Sequence, residues 1–247
     1  MNSTRALTLL AASALLAACG GGGSDAPAAT PTVVAAVPLS VPLGTAMANV
    51  VNLARSATMT VAGTAVSGGQ TVNVTGSGSY SESTTAGTFE GTVGLRKTLT
   101  VNGTLVGTSG GQTSSAPLNS ISDAYYDTNY KPLGSTGTAS YCVTTSYTAP
   151  PASAQVGLQA DWYGQDCYTS GAKTTKAGTI ALKYAVEADT ASSVLLKITS
   201  TSKASNGTTI PGTSTYRVTS AGTVTRLNDV SAATVNGVAI NLTITYQ

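Results

Sequence analysis

A two-residue alternation of apolar and polar side chains runs through most of the chain from Thr58 to Tyr246. Successive side chains of a β-strand point to opposite faces, so this period predicts strands with one buried face. Gly-Gly, Asn-Gly and Pro-Pro pairs divide the alternation into segments, which is typical of strands joined by turns. The pattern predicts a mainly β domain, an antiparallel meander of about ten strands.

The alternation also assigns the faces of the later strands. Between the apolar positions lie mostly Thr, Ser, Lys and Asn, which remain hydrated on an outer face. Residues 107–119 are dominated by Gly, Ser and Thr, so a loop is predicted there. At Asn102-Gly103 two alternatives stay open, a type I′ turn or one strand that runs through the glycine. The residues predicted to point into the core are Ile180, Leu182, Tyr184, Leu196, Ile198, Tyr216, Val218, Leu242 and Ile244.

Residues 44–55 have helical rather than strand periodicity. Met47, Val50, Val51 and Ala54 recur at i, i+3, i+4 and i+7, which predicts a helix with one apolar face. Thr45 is the predicted N-cap residue. Val and Asn in the interior make the segment a weak helix former, so it should need a sheet on which to pack.

Strands in this order close into a barrel, pack as a sandwich or curl into a half-barrel. A helix followed by a long meander is similar to the element order of half-barrel periplasmic lipoprotein carriers, in the lipoprotein-localisation and mycobacterial lipid-carrier families. That likeness implies a helix against the concave face and a cavity for an apolar ligand. We therefore expect a half-barrel or a sandwich with one short N-terminal helix.

The N-terminus carries Leu16-Ala17-Ala18-Cys19 directly after an apolar run that follows Arg5. This context resembles the lipobox of bacterial lipoproteins, and the run is shorter than the roughly 20 apolar residues that a membrane-spanning helix needs. The resemblance implies cleavage after residue 18 and lipidation of Cys19. Because Gly20 rather than Asp follows, it also implies sorting to the outer membrane. The alternatives are a plain secretory signal and a buried helix.

Residues 19–42 are rich in Gly, Ala, Pro and Thr and hold one charge, Asp25. A flexible chain of this length spans about 25–30 Å, so the segment is predicted to be a tether. The expected organisation is a lipoprotein signal peptide over 1–18, a tether over 19–42 and a single β domain over 43–247.

Cys142 and Cys167 remain once Cys19 is assigned to lipidation. A pair of cysteines in an oxidising compartment predicts one disulfide, and two free buried thiols are the alternative. The chain has no histidine, which excludes Ser-His-Asp and Cys-His catalytic groups and histidine zinc sites. We therefore expect no metal and no cofactor. A net charge of +2 gives no reason to expect nucleic acid as a partner.

Eight aromatic residues crowd residues 125–168 around the two cysteines. Exposed rings would suit an apolar or carbohydrate ligand, and the alternative is that the rings pack against each other and the disulfide. The candidate ligand-facing aromatics are Tyr125, Tyr126, Tyr130, Trp162 and Tyr163.

Carboxylates offer two further candidate sites. Asp123 and Asp127, with Asn129, could supply oxygen ligands to calcium, although the segment lacks the glycine and closing glutamate of a calcium loop, which favours turn capping by Asp127. Asp161 with Asp166 or Glu90 could perform acid/base hydrolysis if they met in a cleft. The sequence as a whole favours a non-enzymatic envelope lipoprotein with a structural or ligand-binding role. Its predicted partners are the membrane, through the anchor, and an apolar or carbohydrate ligand.

Overall fold

The computed structural model describes residues 39–235 and 237–247, so Cys19, the predicted signal and most of the predicted tether lie outside the described residues. The described chain forms one short helix and a series of antiparallel strands. In chain order the elements are β1 (Ser40–Val41), α1 (Leu43–Asn52), β2 (Arg55–Ser67), β3 (Gln70–Phe89), β4 (Thr92–Ser109), β5 (Gln112–Tyr126), β6 (Pro132–Gly137), β7 (Ser140–Tyr147), β8 (Ala154–Gln155), β9 (Gln159–Tyr168), β10 (Lys176–Thr190), β11 (Ser193–Ala204), β12 (Thr209–Thr219), β13 (Val224–Val235) and β14 (Val238–Tyr246).

Twelve of these strands form a closed antiparallel barrel, while β1 and β8 pair separately. The prediction of a mainly β antiparallel meander with one short helix is confirmed. The half-barrel and the sandwich are wrong, because β14, the last strand, pairs with β2, the first strand of the wall, and closes the sheet. Closure pairs the backbone of every strand in the wall, which leaves no open sheet edge. The strand count also exceeds the predicted ten.

Glycines allow the wall of β2, β3 and β4 to curl tightly. A Cβ atom placed on Gly63 would lie 2.0 Å from the carbonyl oxygen of Asn241, and one placed on Gly78 would lie 2.2 Å from that of Asn102. No side chain fits at such distances, so only glycine lets the neighbouring strands approach this closely. At Gly103 β4 continues without a turn, which decides between the two alternatives at Asn102-Gly103.

The helix begins and ends slightly earlier than the sequence predicted. Leu43, Ala46, Met47, Val50 and Val51 are its buried residues, so the predicted apolar face is largely confirmed. Thr45 makes no cap, because Pro42 holds the N-cap position, and the exposed Ala54 lies beyond the helix.

The predicted inward faces of β10, β11, β12 and β14 are confirmed. Tyr184, Leu196, Tyr216 and Leu242 are buried in the core, whereas Leu182 packs against it half-buried. The predicted loop over 107–119 is wrong, because β4 and β5 pair through this segment and leave only a tight turn. Its first inward positions are Gly107, Ser109, Gln112 and Ser114, so the segment has no apolar period to recognise.

The barrel has two different ends. At the helix end, α1 and the β1–β8 pair cover the core, and the Nδ2 of Asn49 donates to the carbonyl of Gly222 at 2.8 Å. At the opposite, turn end, the sequence Ser-Gly-Gly-Gln forms both the β2–β3 turn (67–70) and the β4–β5 turn (109–112), with the Ser109 hydroxyl donating to the Thr71 carbonyl at 3.0 Å. The strands between the ends are long: β2 alone extends over about 40 Å.

Candidate functional site

The candidate aromatics do not form one surface. Trp162 is buried in the core beneath α1 and meets Tyr163 edge to face, with ring centroids 4.8 Å apart. Tyr126 faces the same interior and is buried. Burial raises the pKa of both tyrosines, Tyr126 and Tyr163, which interact with each other through their side chains. Tyr130 lies in the β5–β6 loop, where its hydroxyl accepts from the Asn52 amide at 2.9 Å.

Tyr125 points to the outer surface, where the tip of the β3–β4 hairpin folds over it. Phe89 stacks between Tyr125 and Tyr141, at centroid distances of 4.8 and 5.1 Å. A Cβ atom on Gly134 would lie 2.3 Å from the Phe89 ring, so glycine is required beneath it. The tip is fastened by Glu90, which accepts from the Tyr141 hydroxyl at 2.6 Å and pairs with Lys173 at 2.7 Å. These outer rings are therefore covered rather than open to solvent.

The predicted disulfide between Cys142 and Cys167 is confirmed. The two residues lie opposite each other on β7 and β9 and are both buried. β6 and β7 are the shortest strands of the wall, and the crosslink holds β7 to β9 there.

Replacing Cys142 by Ser is expected to lower the free energy of unfolding by about 3 kcal/mol, because the unfolded chain loses a covalent loop. Urea denaturation measures the change. Thr145→Ser on the same strand is the control and should lie within about 0.5 kcal/mol of wild type. Two alkylatable thiols in the non-reduced wild-type protein would contradict the assignment.

The candidate carboxylates are separated and individually paired. The Oδ1 of Asp127 accepts from the backbone N–H groups of Asn129 and Lys131 at 2.8 and 2.9 Å, which is turn capping. Asp161 pairs with Lys183 and Asp166 with Lys176, each at 2.7 Å on the outer surface.

Asp123 lies on the outer wall and binds two partners there. It accepts from Arg96 at 2.7 Å and from the Thr98 hydroxyl at 2.6 Å. Against the opposing effect of burial, these bonds lower its pKa. Within the described residues, no group of three or more potential metal ligands comes together.

A layer of buried charged groups inside the barrel was not predicted. Its centre is Arg226 on β13, which binds Glu82 of β3 at 2.7 Å and Asp229 of its own strand at 2.6 Å. Two tyrosines also bind these charged groups. Arg226 donates to the Tyr80 hydroxyl at 2.7 Å, and the Tyr246 hydroxyl donates to Asp229. The layer therefore joins β3, β13 and β14 across the interior.

The layer also holds the C-terminus of α1. The ammonium group of Lys97 donates to the carbonyl of Val50 at 2.5 Å and lies 3.2 Å from the second carboxylate oxygen of Glu82. The Thr84 hydroxyl donates to the Val51 carbonyl at 2.7 Å. The last carbonyls of a helix lack partners within the helix and favour cations, so these contacts fix α1 in the barrel.

Burial disfavours the charged form of each ionisable group in this layer. Burial lowers the pKa of Lys97 and raises the pKa of Asp229, in each case against the pull of the opposite charge. For Arg226 the balance is reversed: burial opposes the charge, but Asp229 and the surrounding tyrosines hold its pKa above the ordinary value. Burial raises the pKa of Tyr216, beneath Arg226, to about 12.

A β-bulge explains why the sequence did not reveal the layer. Arg226 and Asp229 are three residues apart, so a regular strand would place them on opposite faces. The register between β12 and β13 shifts after Arg226, which leaves Leu227 unpaired and turns both charged side chains inward. Arg55 and Glu82 did carry a signal, because each is in phase with buried residues of its strand.

The outer wall of β14, β2, β3, β4 and β5 is nearly free of charge. In the described part of these strands, the outward-facing charged residues are Arg96 and Asp123 near the helix end and Glu90 lies beyond, at the hairpin tip. Hydroxyl groups form rows across the wall, and one row consists of Thr245, Thr60, Ser77 and Thr104. Such a wall can exchange hydrogen bonds with an uncharged polar partner, and a carbohydrate ligand stays a prediction.

The comparisons with known proteins leave the chain unassigned. It matches no protein-family model, no curated protein and no solved structure. Among the described residues, α1 is too short and insufficiently apolar to cross a bilayer.

Proposed function

We propose that this protein is a lipid-anchored, non-catalytic binding protein of the bacterial cell envelope. The anchor rests on the lipobox-like sequence that ends at Cys19, and its orientation rests on the point at which the chain enters the barrel. Ser40 and Val41 pair with Gln155 and Ala154 at the helix end, and α1 follows directly. Everything before residue 39, including Cys19, therefore joins the domain at the end that α1 covers.

This arrangement gives the domain a polarity relative to the membrane. A tether with an r.m.s. span of about 25–30 Å would connect the lipid on Cys19 to the helix end. The turn end, with its two Ser-Gly-Gly-Gln turns, would then face away from the bilayer. Outer-membrane sorting belongs to the same proposal and rests on Gly20 after Cys19.

The paired state of the carboxylates supports a binding role over hydrolysis. Asp161, Asp166 and Glu90 each bind a different lysine, at 2.7 Å in every case. A carboxylate pair that performs acid/base chemistry needs two carboxyl groups within reach of one substrate bond. These three residues lie on separate ion pairs, which favours a structural use.

Metabolic labelling with palmitate tests the anchor. Wild-type protein is expected to incorporate label, while Cys19→Ser should incorporate none and be left unprocessed or soluble, since the acyl chains supply the attachment. Cys167→Ser is the matched control, because it removes a cysteine of the barrel and should keep the label. Wild-type protein that never incorporates palmitate would overturn the proposal.

A further inference from the structure

The inner charged layer contains more cationic than anionic groups. Arg55, Lys97 and Arg226 face two carboxylates, those of Glu82 and Asp229. Lys97 pairs with Glu82, and Arg226 pairs with both Glu82 and Asp229. A buried positive charge without a counter-ion is unfavourable, so the layer has an electrostatic deficit that an anion would offset.

Arg55 is the group that lacks a partner. Among the described residues its guanidinium forms no ion pair, and its one hydrogen bond runs from Nη1 to the carbonyl of Arg226 at 3.2 Å. Its Nε is buried and has no acceptor. The guanidinium lies over the rings of Tyr80 and Tyr246, 5.5 and 5.4 Å from their centroids. Arg55 as a whole is half-buried, so part of its side chain stays accessible although its Nε is not.

An aliphatic surface begins next to Arg55 and continues toward the turn end. Met59 and Val61 follow on the same face of β2 and belong to a cluster formed by β2, β3, β4 and β14. Its buried members are Met59, Val61, Val74, Tyr80, Val101, Leu105, Ile240, Leu242 and Ile244.

The inner face of β5 borders this surface and is only partly covered. Ala116, Leu118 and Ser120 point inward yet are all half-buried, and Ser114 at the turn end is exposed. Eight strands already enclose an interior that side chains fill, and barrel diameter grows with strand number. A barrel of twelve strands therefore encloses a wider interior, and α1 occupies the helix end of that interior.

We propose that the barrel binds a long-chain carboxylate of the fatty-acid class, with its head group on Arg55 and its alkyl chain along the inner face of β2–β5. A carboxylate accepts two N–H groups from a guanidinium in a charge-assisted pair. The Nη groups of Arg55 would supply these donors, because its Nε is buried. The alkyl chain would lie on the aliphatic cluster and Leu118, and would enter from the turn end. The inference rests on the ligand-binding role proposed above and names its ligand class.

Calorimetric titration of the full chain carrying Cys19→Ser tests this. That substitution removes the proposed anchor and leaves every barrel residue unchanged. Dodecanoate is expected to bind at one site per chain. Dodecyltrimethylammonium, with the same chain length and the opposite charge, should bind at least tenfold more weakly, and acetate should give no measurable heat. Absence of saturable dodecanoate binding, or equal binding of the two amphiphiles, would overturn the proposal.

Substitutions then locate the site. Arg55→Gln should weaken dodecanoate binding at least tenfold, whereas Arg217→Gln on the outer wall should leave it unchanged. Equal affinity of Arg55→Gln and wild type would refute the head-group assignment. If Arg55→Gln does not fold, as judged by circular dichroism, Leu118→Asn decides, since its unchanged affinity would refute the chain path. Failure of palmitate labelling would remove the anchor alone and would not alter these titrations.

Discussion

Replacing Arg226 by Met is expected to lower the free energy of unfolding by about 3–5 kcal/mol. Methionine retains much of the side-chain length but removes the charge that Glu82 and Asp229 share. Both carboxylates are almost completely buried, at 3% exposure each, so they would remain in the interior without their principal partner. Urea denaturation followed by circular dichroism measures the loss.

Arg217→Met is the matched control for this prediction. Arg217 forms a comparable two-bond pair with Asp189, at 2.6 and 3.2 Å, but on the solvent-exposed wall. An exposed pair contributes at most about 1 kcal/mol, so the control should be nearly as stable as wild type. Equal losses in the two variants would contradict the structural role of the inner layer. Combining Arg226→Met with Asp229→Asn should recover part of the stability, because Asp229 then carries no unpaired charge while Glu82 keeps Lys97 as its partner.

Leu242→Asp is expected to cost about 4 kcal/mol or more, because it removes a buried aliphatic side chain and places a carboxylate in the core. Leu242 lies on the inner face of β14 within the aliphatic cluster. The adjacent Thr243 points outward, so Thr243→Asp should change stability by less than about 1 kcal/mol. Thermal or urea unfolding of the two variants compares the faces directly. A stable Leu242→Asp protein with an unstable Thr243→Asp protein would mean that the strand faces are reversed.

The sequence predicted those elements in which local pattern and tertiary packing agree. The alternation through Leu196, Tyr216 and Leu242 identified the inner face, since charged and hydroxyl residues hold the outer positions. The helical period at 44–55 located α1, and two cysteines in a predicted oxidising compartment were sufficient to predict the disulfide. In the strands and the helix, one requirement, the burial of an apolar face, acts on residues that lie close together in the sequence.

Closure and the inner layer depend on contacts that the sequence pattern does not encode. Whether β14 meets β2 is decided by the curvature of the whole wall, which glycines such as Gly63 and Gly78 permit but do not specify. Arg226 and Asp229 share a face only through the bulge at Leu227. The stacking of Phe89 on Tyr125 joins the tip of the β3–β4 hairpin to β5, a strand that does not pair with β3.

The candidate site was predicted only in part for the same reason. The aromatic residues near the disulfide were noticed as a group, but alternation sends Tyr125 outward and Tyr126 inward, so the group divides between two faces. The charged residues that line the interior were each unremarkable in the sequence. They become a site only because β2, β3, β4 and β13 bring Arg55, Glu82, Lys97 and Arg226 together.

Spin-label measurements on membrane-bound protein test the central claim most directly, that the chain is anchored through its helix end. One label is placed at Ala149→Cys, in the loop beside α1, and the other at Gln70→Cys, in a turn at the opposite end. A paramagnetic metal chelated to lipid headgroups should relax the Ala149 label more strongly than the Gln70 label. Equal relaxation of the two labels, or a stronger effect at Gln70, would contradict the account.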